Sequence, residues 1–433
     1  TMDKISKRLI DILLFQFRSG LSCQSSSRNY LKELLYQEFC VDCGACAGIC
    51  PVQAITLKSW DFDWKGINID TQKCINCGLC KKLCPGLAHR VLVPNGFAEG
   101  PILAAYLAVA NDPQIRHCAA SGGVTSALTI AWLRQNPKQH KALTLLPNQI
   151  GEPPLFPLGV FINKPEHVKE AAGSHYIGGP LLQNLNKLLP DEVHQCLVVG
   201  LPCQIRAAKQ YAKLTSSTWG PKIGLFCSGR RHPMFLKWLL RYLHCSFNDI
   251  SKFYSRRNGS PGNILIQKVD ETFIVLPRTD PIINFSTRNA TFLLRNCLWC
   301  PDPFSSLADI SCGDPWDLSD IPEQGATLVI LRNKTGIDLF EKTFNMGLIK
   351  IIRSLTLNEV MHNNKGLRNK ASLVPFIAKQ MGICSYKINL NKVNFLLFLR
   401  ALKYLLRWKI SSSFLGSCIP YLPKKIISFI AKI

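Results

Sequence analysis

The sequence predicts a small α+β, cysteine-rich module fused to an α/β domain with a mostly parallel sheet, followed by a basic helical tail. Three observations carry this. A four-cysteine run occurs twice between residues 40 and 84. From about residue 100 to 350, β-rich apolar runs alternate with helical segments, the pattern of βαβ units. Beyond about residue 380 the chain has many Lys and Arg but no Asp or Glu. The expected divisions are a helical extension over 1–35, the cysteine module over 36–92, the α/β domain over 95–375 and the tail over 380–433. A chain of 433 residues suits two or three domains and can bury a sizeable core.

Taken in order, Ile5, Leu9, Ile12, Leu13 and Phe17 have helical spacing, and a short helix over 30–37 leads into the cysteines. Residues 102–110 read as a strand and 123–133 as a helix. Residues 196–200 form a short apolar strand before a helix over 204–213. A strand over 222–227 precedes a helix over 233–243. Residues 250–290 look like hairpins, with turns at Asn258-Gly259 and Pro261-Gly262, and 327–331 is a further strand.

The two runs are Cys40-x2-Cys43-x2-Cys46-x3-Cys50-Pro51 and Cys74-x2-Cys77-x2-Cys80-x3-Cys84-Pro85. Each is the bacterial ferredoxin pattern, so the module is expected to be ferredoxin-like and to carry two 4Fe–4S clusters. Three thiolates spaced by two residues wrap one cube through a tight loop, which Gly44 and Gly78 permit. The fourth cysteine points to the other cube. Cys40, Cys43, Cys46 and Cys84 are therefore expected on one cluster, and Cys74, Cys77, Cys80 and Cys50 on the other. Zinc sites come instead as separated C-x2-C pairs, a poor match to two complete runs ending in Cys-Pro. Residues 54–57 and 67–70 can pair as a hairpin covering the clusters. The start of the chain shows no secretory signal, and with 19 cysteines in metal-type spacing this implies a reducing, cytoplasmic setting.

Other cysteines sit in suggestive places. Cys203 follows the strand over 196–200, Cys227 ends the next strand, and Cys297 and Cys300 form a C-x2-C pair. Loops at the carboxyl ends of neighbouring parallel strands face one crevice, so these four either meet there on a third metal site or are buried small hydrophobes.

The net charge of +24 stays strongly basic after two or three clusters, each about −2 on its four thiolates. Such a field favours an acidic partner. In the tail, Arg400, Lys403 and Arg407 form one helical stripe amid Leu, Phe, Tyr and Trp. Charge interrupts any span across a bilayer. Residues 393–433 thus suit either an anionic membrane interface at the cytoplasmic face or docking on the catalytic domain or a partner subunit. The basic residues do not follow a nucleic-acid-binding fold, and no nucleic-acid partner is expected.

Several blocks in order resemble the family of beta subunits of coenzyme F420-reducing hydrogenase and F420-dependent formate dehydrogenase. They are the twin cysteine motif, Ser121-Gly122-Gly123, residues 199–204, residues 225–229, residues 295–300 and residues 308–314. The chain departs from the family at Leu201, where relatives often carry threonine, and after Asp314. The resemblance implies an FAD-containing catalytic domain with its own 4Fe–4S cluster, for which it prefers Cys203, Cys227, Cys297 and Cys300, with Cys312 in reserve. It implies an oxidoreductase that reduces or oxidises coenzyme F420 or another organic substrate, exchanging electrons with an acidic carrier such as ferredoxin. The alternative is an electron-transfer beta subunit of a larger complex, without substrate chemistry of its own.

The residues agree with a flavin. Ser121, Gly122, Gly123 and Thr125 open a helix whose free N–H groups can face a phosphate, unless Ser121 is only a cap. Ser174 and Tyr176 lie in a glycine-rich loop over 171–179 that either lines the flavin or substrate or is plain surface. A flavin also converts between single electrons and the pair that hydride chemistry needs.

Overall fold

A computed structural model describes residues 40–57, 67–86, 100–147, 157–283 and 291–380, with positions 403, 404, 406, 419 and 422. The expected helices over 1–37 and nearly all of the tail lie outside the described residues.

The cysteine module contains two short helices, α1 (Ala45–Gly48) and α2 (Leu79–Leu83), each following a glycine in left-handed conformation, Gly44 and Gly78. Between them β1 (Ile55–Leu57) pairs antiparallel with β2 (Ile67–Ile69).

The rest is built on one eight-stranded sheet. Its strands are β3 (Ala104–Ala110), β4 (Lys141–Leu146), β5 (Leu158–Ile162), β6 (Cys196–Gly200), β7 (Lys222–Leu225), β11 (Ile310–Gly313), β12 (Thr327–Leu331) and β13 (Ile349–Ser354), in spatial order β13-β3-β12-β11-β7-β6-β4-β5. The centre, β11-β7-β6-β4, is parallel. β5, β12 and β13 run the other way, while β3 returns to the central direction, so five of the eight strands share one direction. Every residue of β6 and β12 is buried, as expected for strands covered on both faces. A separate three-stranded antiparallel sheet comprises β8 (Ile250–Arg257), β9 (Asn263–Lys268) and β10 (Phe273–Leu276), with β9 in the middle.

Helix ends follow local chemistry. α3 (Pro113–Cys118) starts with Asp112 accepting from the N–H groups of Gln114 and Ile115, and with proline at its first position. α4 (Val124–Gln135) starts at left-handed Gly123 and has no side-chain cap. α5 (Pro202–Thr215) starts with Pro202, and the Gln204 side chain accepts from the Leu201 N–H at 2.8 Å. α6 (Met234–Tyr242), α7 (Lys334–Asn345), α8 (Leu357–His362) and α9 (Lys365–Gln380) complete the set, with α9 packed on the 3-10 turn Arg295–Trp299.

The module is sealed to the sheet domain through its first run. Val41, Cys43, Ala45, Ile49 and Leu83 share a buried cluster with Leu181, Leu182, Leu185, Cys203 and Ile205. Leu181, Leu182 and Leu185 are completely buried, each contributing at most about 1.5–3 kcal/mol. The Leu182 N–H donates to the Cys43 carbonyl at 2.8 Å. A Cβ on Gly48 would lie 2.1 Å from the Leu182 carbonyl, whereas one on Gly78 would meet no atom within 4 Å. Gly48 is therefore required by close approach and Gly78 by its φ of +71° alone. Gly48→Ala is expected to destabilise the protein by about 3 kcal/mol and expose the module to limited proteolysis. Gly78→Ala should lower stability by only about 1 kcal/mol, read by denaturant unfolding. Equal effects would contradict the one-sided docking.

Candidate functional site

The twelve cysteines expected to bind metal lie in three groups of four. Burial is the first cause pushing up the thiols of Cys40, Cys43 and Cys46; Asp42 and Cys84 push Cys40 further, Cys84, Cys46 and Cys40 push Cys43, and Cys40, Cys84 and Cys80 push Cys46. The Cys80 thiol is raised to about 11, first by burial and then by Cys77, Cys50 and Cys74. The chain thus brings Cys84 to the first run and Cys50 to the second. Cys50, Cys74, Cys77 and Cys80 also line one depression with Ile55, Ile69, Ile75 and Leu79.

The third group sits at the carboxyl edge of the central strands. Cys203 opens α5 after β6, Cys227 follows β7, and Cys297 and Cys300 lie in and after the 3-10 turn. The Cys203 thiol is raised well above its ordinary value by burial and then by Cys227, Cys297 and Cys300. Burial likewise pushes Cys300 up to about 12. The Gly229 N–H donates to Cys227 Sγ at 3.3 Å and the Arg230 N–H to Cys297 Sγ at 3.4 Å. Cys312 stands apart on β11, where burial raises its thiol to about 12 and the side chain of Thr125, not this group, hydrogen-bonds it.

Among the described residues, no three His, Cys, Asp or Glu side chains converge closely enough to hold a single ion. A mononuclear site draws its sulfurs to about 2.3 Å from one point, whereas a cube offers four irons at separate corners and needs wider thiol spacing.

Two charged bridges went unpredicted by motif spacing. The Arg230 guanidinium donates to the carbonyls of Val41 and, at 3.0 Å, Asp42, and to Asp42 Oδ2 at 2.9 Å. Both side chains are almost wholly buried. Burial pushes the Asp42 carboxyl up to about 6 against the pull of Arg230. Burial works against the Arg230 charge too, but Asp42 and the thiols of Cys203 and Cys297 outweigh it. Lys370, also buried, donates to the Ser228 carbonyl at 2.6 Å and faces Cys297, Cys300 and Cys227. Asp42 lies inside the first run and Arg230 three residues after Cys227, so charged residues beside ligand positions were the available signal.

Near the same sheet edge lie the residues expected to hold a cofactor. Ser121 Oγ donates to the Ala326 carbonyl at 2.5 Å, so it packs against the start of β12 instead of capping α4. A Cβ on Gly122 would collide with the backbone of Thr327 and Ala108. These positions are thus also demanded by packing. The Thr125 side chain turns to Cys312. The Ser174 N–H donates to the Arg256 carbonyl at 2.8 Å. Tyr176 Oη accepts from Arg278 at 3.0 Å, and Arg256 pairs with Asp314 at 2.6 Å. Burial would raise the Tyr176 phenol, yet Arg256 and Arg278 bring it below its ordinary value. Both guanidinium groups lie over the ring of half-exposed Trp316, at 5.3 and 5.1 Å. An uncapped helix start, two arginines and an exposed aromatic face suit a phosphate-bearing aromatic cofactor.

Three comparisons bear on this arrangement. Residues 105–186 match the family model for the N-terminal part of the beta subunit of coenzyme F420 hydrogenase/dehydrogenase, and residues 193–354 match that for its C terminus. Residues 39–88 match a 4Fe-4S dicluster domain. The chain is 25% identical over 318 residues to the F component of the F(420)H(2) dehydrogenase of Methanosarcina mazei, covering 73% of this chain and 84% of that protein. A chain of the F420-reducing [NiFe] hydrogenase complex from Methanosarcina barkeri superposes with TM-score 0.45 and 20% identity, over 65% of this chain and 90% of its own. No described helix is long and apolar enough to cross a membrane.

Two imidazoles near this edge set a pH response. His175 has an Nε2 shut away from solvent, and burial, then Arg257, lowers it to about 4. Burial also lowers His232 to about 4, and its Nδ1 accepts from the Met234 N–H at 3.2 Å. The unfolded chain, with ordinary imidazoles near 6.5, binds more protons than the folded one between these values. Stability is therefore full above about pH 6.5 and falls as pH drops toward 4, by about 1–3 kcal/mol per residue. His175→Gln should flatten that slope in denaturant titrations at pH 4.5 and 7. An unchanged slope would mean that this ring is not held neutral.

Proposed function

Since the chain belongs to the family of coenzyme F420 hydrogenase/dehydrogenase beta subunits, we propose that it is an iron–sulfur flavoprotein oxidoreductase moving electrons between clusters and coenzyme F420. The observation that carries this reading is the third group of cysteines, joined through Arg230 to the first run and, through the Arg231 N–H that donates to the Tyr176 carbonyl at 2.8 Å, to the loop that holds Tyr176.

In this reading the dicluster domain holds one cluster on Cys40, Cys43, Cys46 and Cys84 and another on Cys74, Cys77, Cys80 and Cys50. A third 4Fe–4S cluster binds Cys203, Cys227, Cys297 and Cys300. Ser121, Gly122, Gly123 and Thr125 at the start of α4, with Ser174 and Tyr176 in the neighbouring loop, would hold FAD. When bound, FAD supplies the exchange between one-electron and hydride chemistry. Arg278 and Tyr176 orient an anionic substrate: Arg278 donates to Tyr176 Oη at 3.0 Å, and the phenol, held below its ordinary value, is left to give its proton to the substrate. Coenzyme F420 is itself anionic and suits these arginines.

The second run favours a role within a larger assembly. Cys77 and Ile75 are exposed, with Lys81 and Lys82 nearby on the surface. This face suits an acidic electron carrier or partner subunit, and the relative from Methanosarcina mazei is named as one subunit of a dehydrogenase. A chain with no substrate chemistry of its own would keep this face but lack FAD.

Anaerobically purified protein is expected to contain about twelve iron atoms, matching sulfide, and one FAD per chain, and to reduce or oxidise coenzyme F420 with a dye or ferredoxin. About eight iron atoms and no flavin would leave only the electron-transfer role. Cys84→Ala should remove the iron held with Cys40, and Cys50→Ala the iron held with Cys74, each about four atoms by iron counting. Loss of the same signal in both variants would reject the crossed ligand sets.

A further inference from the structure

We propose that the Arg230–Asp42 ion pair, backed by Lys370, orders the potentials of two neighbouring clusters and makes the inner one the better electron acceptor. This rests on the reading that both cysteine groups hold 4Fe–4S clusters.

The pair lies across the seam between the two groups. At one end, the Asp42 N–H donates to Cys40 Sγ at 3.2 Å, and the Asp42 charge acts on Cys40. At the other, the Arg230 N–H reaches Cys297 Sγ at 3.4 Å, while its guanidinium holds Asp42 Oδ2 at 2.9 Å. The Asp42 carboxylate thus bears on Cys40, whereas the Arg230 guanidinium bears on Cys203 and Cys297 as well as on Cys40, so that the balance is more positive toward the set containing Cys203. Lys370 adds a second buried cation there, and the Gly229 N–H donates to Cys227 Sγ at 3.3 Å.

Reduction adds one negative charge to a cluster. Nearby cations and N–H donors to its sulfurs stabilise the reduced form, and a nearby carboxylate opposes it. In this transfer one electron leaves the cluster on Cys40, Cys43, Cys46 and Cys84, which is oxidised. It enters the cluster on Cys203, Cys227, Cys297 and Cys300, which is reduced. No bond breaks and no proton moves. Because the side chains are almost wholly buried, water screens these charges little, unlike a surface pair.

Arg230 and Lys370 act as charge-placing residues, so their test reads potentials as well as turnover. The full chain, purified without oxygen, is titrated with dithionite and redox mediators while electron paramagnetic resonance follows each cluster. Arg230→Gln is expected to shift the one-electron partition away from the inner cluster about tenfold, or 59 mV. Lys370→Gln should shift it in the same direction. Asp42→Asn should narrow the gap from the other side, by raising the midpoint of the first set. Arg230→Lys, which keeps the charge, should restore most of the wild-type gap. A purely structural role predicts lower stability with unchanged midpoints. A partition within about threefold of wild type in both Arg230→Gln and Lys370→Gln overturns the proposal. If Arg230→Gln loses module iron, Lys370→Gln decides, since its hydrogen bond goes to Ser228 and not to the module. A wild-type protein without a third cluster signal overturns the functional reading, and this proposal with it.

Discussion

Everything near the sheet edge depends on how buried sulfur meets positive charge. A thiol surrounded by apolar atoms resists ionisation, and Cys43, Cys46 and Cys203 are all pushed well up by burial. The chain answers with backbone N–H groups and with cations drawn from separate segments. Arg230 comes from the loop after β7 and Lys370 from α9. The same Arg230 also fastens the cysteine module through Val41 and Asp42. At Arg230, docking and charge balance are thus one arrangement. A buried pair of this kind is strongly destabilising to break, because the remaining partner is left charged without compensation.

Much of this was legible in the sequence, for specific reasons. The cysteine runs declare themselves by spacing, since spacing follows the shape of the cube. The strands over 196–200 and 327–331 were visible because strands covered on both faces read as continuous apolar runs. Other elements were hidden. β5 and β13 lie at the sheet margins with mixed burial, so their patterns are neither continuous nor alternating. α7 has a clear buried stripe of Leu339, Phe340 and Thr343, which a reading centred on the cysteines passed over.

The site was legible in parts. Spacing could suggest that Cys203, Cys227, Cys297 and Cys300 meet, but not that they do, since the first and last lie far apart along the chain. Ser121-Gly122-Gly123 shows the limit from the other side. The motif suggested a phosphate loop, yet the sheet already demands those small residues, because β12 and β3 approach within contact of Gly122. One glycine can satisfy packing and ligand together, and a sequence pattern cannot separate the two. Arg256 and Arg278 escaped notice because isolated charges carry no periodicity.

The unequal setting of the two cysteine runs has an evolutionary consequence. Around Gly44 and Gly48, neighbouring backbone fills the space a side chain would need, so divergence there must involve both sides of the seam at once. A side chain at Gly78 would meet no atom within 4 Å, and Ile75 and Cys77 are exposed. Substitutions on that surface can accumulate singly without disturbing the core. A lineage could then change what it delivers electrons to while inheriting the inner half of the molecule intact.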